Sequence, residues 1–141
     1  MYLLDTDHIE FLQRKTQPEY PRLSRRIGMH PPATFYYPII SLHEQALGSN
    51  RYIARAKDSA GVVHGYAMLE RDLADYCQAQ VLPYDVAAAA EFDSLRARKV
   101  RVATMDLRIA SIALARGLTV LTRNLRDFTQ VPGLNVEDWT T

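Results

Sequence analysis

Short apolar runs alternate with amphipathic stretches along this chain. Tyr2-Leu3-Leu4 reads as a buried strand ending at Asp5. Asp7-His8-Ile9-Glu10 has the N-cap and N3 spacing of a capping box and predicts a helix from there to about Lys15. Residues 16–34 hold Pro18, Pro21, Pro31 and Pro32, so a loop is expected there, with a short helix near Leu23 to Ile27. Phe35 to Ile40 reads as a second strand; because Pro38 lacks a ladder donor, its start is open between Phe35 and Pro38. A helix opening near Ser41 carries Leu42, Glu44 and Leu47 and is expected to break at Gly48-Ser49-Asn50, while 50–61 fits either helix or loop.

A helix over 62–80 and a third strand at Val81-Leu82 come next. Asp85 then stands as the cap of an alanine-rich helix over 86–99. Leu107 to Arg116 is apolar nearly all round, the mark of a buried helix, and Gly117 is its natural stop. Leu118 to Leu121 is a fourth strand, and Pro132-Gly133 turns the chain into a last short strand at Asn135-Val136. Strands alternating with helices predict an α/β fold, a parallel sheet covered by helices on both faces.

Composition narrows the class without naming an activity. With 141 residues the chain fits a single domain over 1–141, and 48% hydrophobic with 23% charged residues is ordinary for a globular protein. No apolar run approaches the roughly 20 residues that span a bilayer, and Met1-Tyr-Leu-Leu-Asp5 lacks the basic start of a signal peptide. The single cysteine, Cys77, permits no intrachain disulfide, so the default expectation is a cytoplasmic protein. A net charge of +1 says nothing about a nucleic-acid partner. Basic residues cluster at Arg22, Arg25 and Arg26, at Arg96, Arg98, Lys99 and Arg101, and at Arg123 and Arg126. Such clusters usually mark a solvated face and matter only where they border a catalytic centre.

In open α/β sheets ligands bind beyond the carboxyl ends of the strands. Asp5 follows the first strand, with Asp7 just behind; Ser41 and Glu44 follow the second; Asp106 opens the buried helix; Thr122, Asn124 and Asp127 follow the fourth. Segments far apart in sequence thus bring acids and amides to one rim. Clustered carboxylates repel unless protonated or bridged by a cation. Oxygen-only ligands select Mg²⁺ or Mn²⁺ over zinc, and such ions favour phosphate as a further ligand. The pattern therefore points to phosphoryl chemistry with one or two ions.

Each residue also has a structural reading. Asp7 fits a helix cap better than a ligand, because Glu10 completes its box. Asp106 fits an N-cap, Glu44 a solvent-facing helix position, and Asn124 and Asp127 an ordinary loop. A carboxylate directly after a buried strand needs a partner, so Asp5 has the weakest structural explanation. Asp5-Thr6-Asp7 also resembles the opening of haloacid-dehalogenase phosphatases, but no lysine stands in a third-motif place. His43-Glu44 begins like a zinc His-Glu-x-x-His motif without its second histidine.

Leu3-Leu-Asp-Thr-Asp7, Ile40-Ser-Leu-His-Glu44, Asp106-Leu-Arg-Ile-Ala110 and Leu121-Thr-Arg-Asn-Leu-Arg-Asp-Phe128 resemble, in order and spacing, the motifs of PIN-domain ribonucleases. Gly133 to Trp139 resembles the end of the VapC-type toxin branch. The likeness runs from residue 2 to 139, with 45–100 matching only in helical character and length. It implies a Rossmann-like parallel sheet, Mg²⁺ or Mn²⁺ dependence and endonucleolytic cleavage of RNA. It also implies a homodimer and a small antitoxin protein that blocks the site. By motif, Asp5, Glu44 and Asp106 take the family's acid positions, and Asn124 stands where a fourth acid often falls. That departure leaves open whether Asp127 compensates, and keeps alive a second expectation, a PIN fold serving as a catalytically weak binding module.

Overall fold

The structure, a computed structural model, describes residues 1–141. Five parallel strands form one sheet in the order β3-β2-β1-β4-β5, with β1 at Tyr2–Leu4, β2 at Phe35–Pro38, β3 at Val81–Leu82, β4 at Thr119–Leu121 and β5 at Val136–Glu137. The first strand is therefore the centre of the sheet. It pairs with β2 through Tyr2 and Phe35 and with β4 through Leu4 and Leu121. The expected α/β architecture, a parallel sheet with helices on both faces, is what the chain forms.

Successive side chains of a strand point to opposite faces, and the core divides accordingly. Leu3 and Val120 join one cluster with Leu107, Ile109 and Ile112 of helix α6 (Thr104–Arg116) and with Ala88 and Leu95 of α5 (Val86–Ala97). Leu4 and Leu121 join the other with Ile9 of α1 (Thr6–Arg14), Leu23 of α2 (Glu19–Ile27), Tyr76 of α4 (Ser59–Gln78) and Trp139. Helix α3 (Ile39–Arg55) bridges the two, giving Ile40 to the first cluster and packing Leu42 on the second. A four-residue helix α7 (Leu125–Phe128) anchors the chain after β4 through fully buried Phe128. No helix is long and apolar enough to cross a membrane.

Several boundaries differ from the pattern reading. The first helix begins at Thr6, not Asp7, because the Asp5 carboxylate accepts from the Thr6 backbone N–H at 2.7 Å and is the actual N-cap. Strand β2 ends at Pro38 rather than starting there; its last position and the N-cap of α3 coincide, where a missing N–H costs nothing. Helix α3 runs unbroken through Gly48-Ser49-Asn50 to Arg55, and Asp58 caps α4 by accepting from Gly61 N–H. The cause is tertiary: α3 and α4 pack as an antiparallel pair, with Gly65 allowing Ile53 and Tyr52 to approach closely. The helix near Leu23 extends back to Glu19. Asp85 caps α5 through Ala88 N–H, and Gly117 ends α6 at φ 65°, a left-handed conformation that glycine adopts without penalty.

The C-terminal segment is fastened by the first basic cluster. Arg26 lies 4.6 Å over the Trp139 ring and donates to the Asp138 carbonyl, and Arg22 donates to the Thr140 carbonyl. Trp139 itself packs against Tyr2, His30 and Phe35 and is 1% exposed. Arg22 and Arg26 are thus structural.

Candidate active site

The carboxyl ends of β1 and β4 and the starts of α3 and α6 meet at one rim. Here Asp5, Glu44 and Asp106 offer carboxylate oxygens that lie within 4.8 Å of one another. None of the three takes part in an ion pair with a basic side chain. Their mutual repulsion is therefore offset mainly by hydrogen bonds and not by a paired base.

Each acid is held by a neighbour. Asp5, 6% exposed, accepts from the Thr122 hydroxyl at 2.7 Å across the β1–β4 pair, while its other oxygen caps α1. Glu44 accepts from the Thr6 hydroxyl at 2.9 Å, and the Ser41 hydroxyl lies 2.8 Å from Thr6, placed to donate to it in turn. Asp106 sits in the first turn of α6, inside the helix and not at its cap, and accepts from the Asn124 amide at 3.3 Å. The same amide donates to Asp127 at 3.0 Å. Asn124 therefore bridges two carboxylates, and Asp127 meets the cluster through it.

Electrostatics follow from burial and crowding. Desolvation, then the charges of Asp7 and Asp106, push Asp5 up to about 8, against the lowering effect of the Thr122 and Thr6 hydrogen bonds. Burial, Glu44 and Asp127 push Asp106 up to about 6. Burial also raises Glu44, partly offset by the Thr6 hydroxyl. At neutral pH Asp5 therefore holds a proton or takes a cation. An all-oxygen, carboxylate-rich donor set without a neutralising base suits a hard divalent ion.

Asp7 belongs to the scaffold around this cluster, and its capping-box role is not realised. Its Oδ2 accepts from the Arg123 backbone N–H at 2.9 Å and its Oδ1 from His8 Nδ1 at 2.7 Å. Thus it clamps the loop after β4. Arg123 itself pairs with Glu19 at 3.0 Å.

No family model matches the chain. Over 142 aligned residues it is 32% identical to the tRNA(fMet)-specific endonuclease VapC of Salmonella typhimurium, an alignment covering 98% of this chain and 97% of that one. The chain belongs to the VapC family. A second VapC, the tRNA(fMet)-specific endonuclease of Shigella flexneri, is 44% identical over 63 residues, 42% of this chain and 48% of that one. Among solved structures, DNA-bound VapBC from Salmonella typhimurium superposes with a TM-score of 0.73 at 30% identity, covering 98% of this chain and 97% of that one. FitAcB from Neisseria gonorrhoeae superposes at 0.72 with 24% identity over 98% and 97%, a likeness of fold.

Some of the residues that shape this VapC site carry no sequence signal. His8 is fully buried, with Nδ1 on Asp7 and Nε2 accepting from the Trp139 N–H at 3.4 Å. Gln45, on the turn next to Glu44, donates to Gln13 of α1 at 2.7 Å and accepts from Tyr76 of α4 at 2.9 Å. Asp72, 2% exposed, accepts from Gln13 and Arg71. This network locks α3, and with it Glu44, between α1 and α4. Only the helical phase of Gln45 one residue after Glu44 hinted at it.

Proposed function

We propose that this VapC-family protein is a Mg²⁺- or Mn²⁺-dependent endoribonuclease, the toxin of a toxin–antitoxin pair. The observation that carries the reading is the meeting of Asp5, Glu44 and Asp106, from three segments distant in sequence, within 4.8 Å on one sheet rim. Asp5, Glu44 and Asp106 would hold the ion, with Asn124 completing the catalytic set and Asp127 acting through it. Magnesium or manganese bound there supplies charge neutralisation for a phosphodiester and a means of activating water at neutral pH. The chain's own part is positioning. Thr122 fixes Asp5, Thr6 fixes Glu44 and Asn124 fixes Asp106 by the hydrogen bonds described above, so the oxygens converge before substrate arrives.

The relatives named as tRNA(fMet)-specific endonucleases make initiator tRNA the first substrate to test. Relatives solved as VapBC complexes support a small antitoxin as partner, and the family likeness supports a cytoplasmic homodimer. Purified protein incubated with initiator tRNA and with unstructured RNA should cut with Mg²⁺ or Mn²⁺ and stop with EDTA. Undiminished cleavage in EDTA would refute the metal mechanism, and no cleavage of any RNA with either ion would favour a binding role.

A further inference from the structure

On helix α3, Glu44, Gly48, Arg51 and Arg55 are spaced four, three and four residues apart and so lie along one face. That face leads from the acid cluster into two adjoining cavities. The first, of about 220 Å³ between α1, α3 and α4, is lined by the acids Glu10, Glu44 and Asp72 and the bases Arg14, Arg51 and Arg71, so its charge is balanced. The second, of about 600 Å³ at the α3–α4 junction, is lined by three bases, Arg51, Arg55 and Lys57, against one acid, Asp58, and so is net positive. Gly48 and Arg51 line both.

Two observations favour an anionic chain as the occupant of the outer part of this face. Arg51, Arg55 and Lys57 are exposed, make no ion pair or side-chain hydrogen bond within the protein, and are the unpaired cations that share a cavity wall leading to Glu44. Finally, Gly48 occupies a helix interior, where glycine costs about 1 kcal/mol relative to alanine. A Cβ there would meet nothing within 4 Å, so internal packing does not explain the glycine. Close approach of a ligand backbone does.

We propose that this face of α3 is the track for the RNA strand flanking the cleaved bond, with Gly48 as the threshold over which the backbone passes and Arg51 and Arg55 as contacts to successive phosphates. The four-residue step between the two arginines rises about 6 Å along the helix, a scale that suits neighbouring phosphates of an extended strand. The inference rests on the nuclease reading above and adds the path of the substrate away from the acids.

The test uses Asp106→Asn protein, which binds without cutting, and a labelled twelve-nucleotide single-stranded RNA followed by fluorescence anisotropy across a salt series. For single strands each phosphate that the protein neutralises adds about 0.7 to the steepness of log affinity against log salt. Adding Arg51→Gln and Arg55→Gln should therefore reduce the slope by about 1.4, while adding Arg116→Gln, at the far end of α6 from Asp106, should leave it unchanged. Gly48→Leu should keep or raise the melting temperature yet weaken RNA binding about tenfold or more. An unaltered slope in the double variant, or full RNA affinity in a well-folded Gly48→Leu protein, overturns the track and leaves the nuclease reading standing. If the Asp106→Asn parent binds no RNA at any salt, both fail. If the arginine changes weaken only capture of the partner antitoxin, the face is a protein-docking surface and the proposal is wrong.

Discussion

The side-chain amide of Asn124 donates to both Asp106 and Asp127, at 3.3 and 3.0 Å, and so separates two carboxylates that would otherwise repel. The amide is a spacer in the metal-free protein. Replacing it with Asp removes the donor and adds a charge beside Asp106, whose pKa is already raised to about 6. Asn124→Asp is expected to lower the melting temperature in EDTA and to enlarge the gain on adding Mg²⁺. Equal metal-induced gains in the variant and the parent would show that position 124 lies outside the ion's reach.

Asp127 should behave differently. Its carboxylate reaches the cluster through Asn124, so Asp127→Ala should raise the Mg²⁺ concentration for half-maximal cleavage only a few-fold. A hundredfold rise would make Asp127 a direct ligand.

Asp5→Asn and Asp106→Asn should each abolish nearly all cleavage without unfolding the protein. An Asn at position 5 can still cap α1, and loss of a carboxylate relieves repulsion. The apo melting temperature of either variant should equal or exceed that of the parent. Retained cleavage together with a lower melting temperature would make these acids structural caps.

The raised carboxyls also give a pH signature. A group whose pKa is higher folded than unfolded holds its proton more tightly in the native state, so unfolding releases it and stability falls as pH rises. For Asp5 that window runs from 3.8 to about 8, and for Asp106 from 3.8 to about 6. In EDTA the melting temperature should therefore decline between pH 5 and pH 8, and Mg²⁺ should restore it most at the alkaline end, because binding requires the deprotonated acids. Thermal scans on a pH grid with and without the ion read this directly; a metal-induced gain that is larger at pH 5 than at pH 8 contradicts it.

Stability at the other end of the chain is apolar in origin. Trp139→Ala removes a fully packed side chain from the Tyr2 and Phe35 cluster and should cost about 3–5 kcal/mol in urea unfolding. Arg22→Ala, which gives up one 3.3 Å hydrogen bond at the surface, should cost no more than about 1 kcal/mol.

The sheet, its strand positions and the three converging acids were legible because each depends on a local pattern: an apolar run, then a polar residue at its carboxyl end. Glu44 could be placed by its position in the first turn of the helix that follows the second strand. What escaped was set by contacts between distant segments. Gly48-Ser49-Asn50 looks like a stop, yet the packing of Ile53 against Gly65 carries the helix through it. Asp7 and Glu10 look like a capping box, yet the Arg123 backbone, 116 residues away, claims the Asp7 carboxylate. His8 reads as one of several scattered histidines, and only the fold shows it buried between Asp7 and Trp139. The second and third basic clusters border no part of the acid rim by any ion pair, whereas the unpaired cations of α3 form no sequence cluster with them.

The central place of β1 has a temporal consequence. Asp5 leaves the ribosome early, but its partner Thr122, the bridging Asn124 and the buried Trp139 arrive after almost everything else, and synthesis proceeds at about 5–20 residues per second. A growing chain thus carries Asp5 and Glu44 for most of its synthesis before Asp106, Thr122 and Asn124 exist to complete the cluster. The interval between the first acid and the completed cluster is several seconds long at that rate.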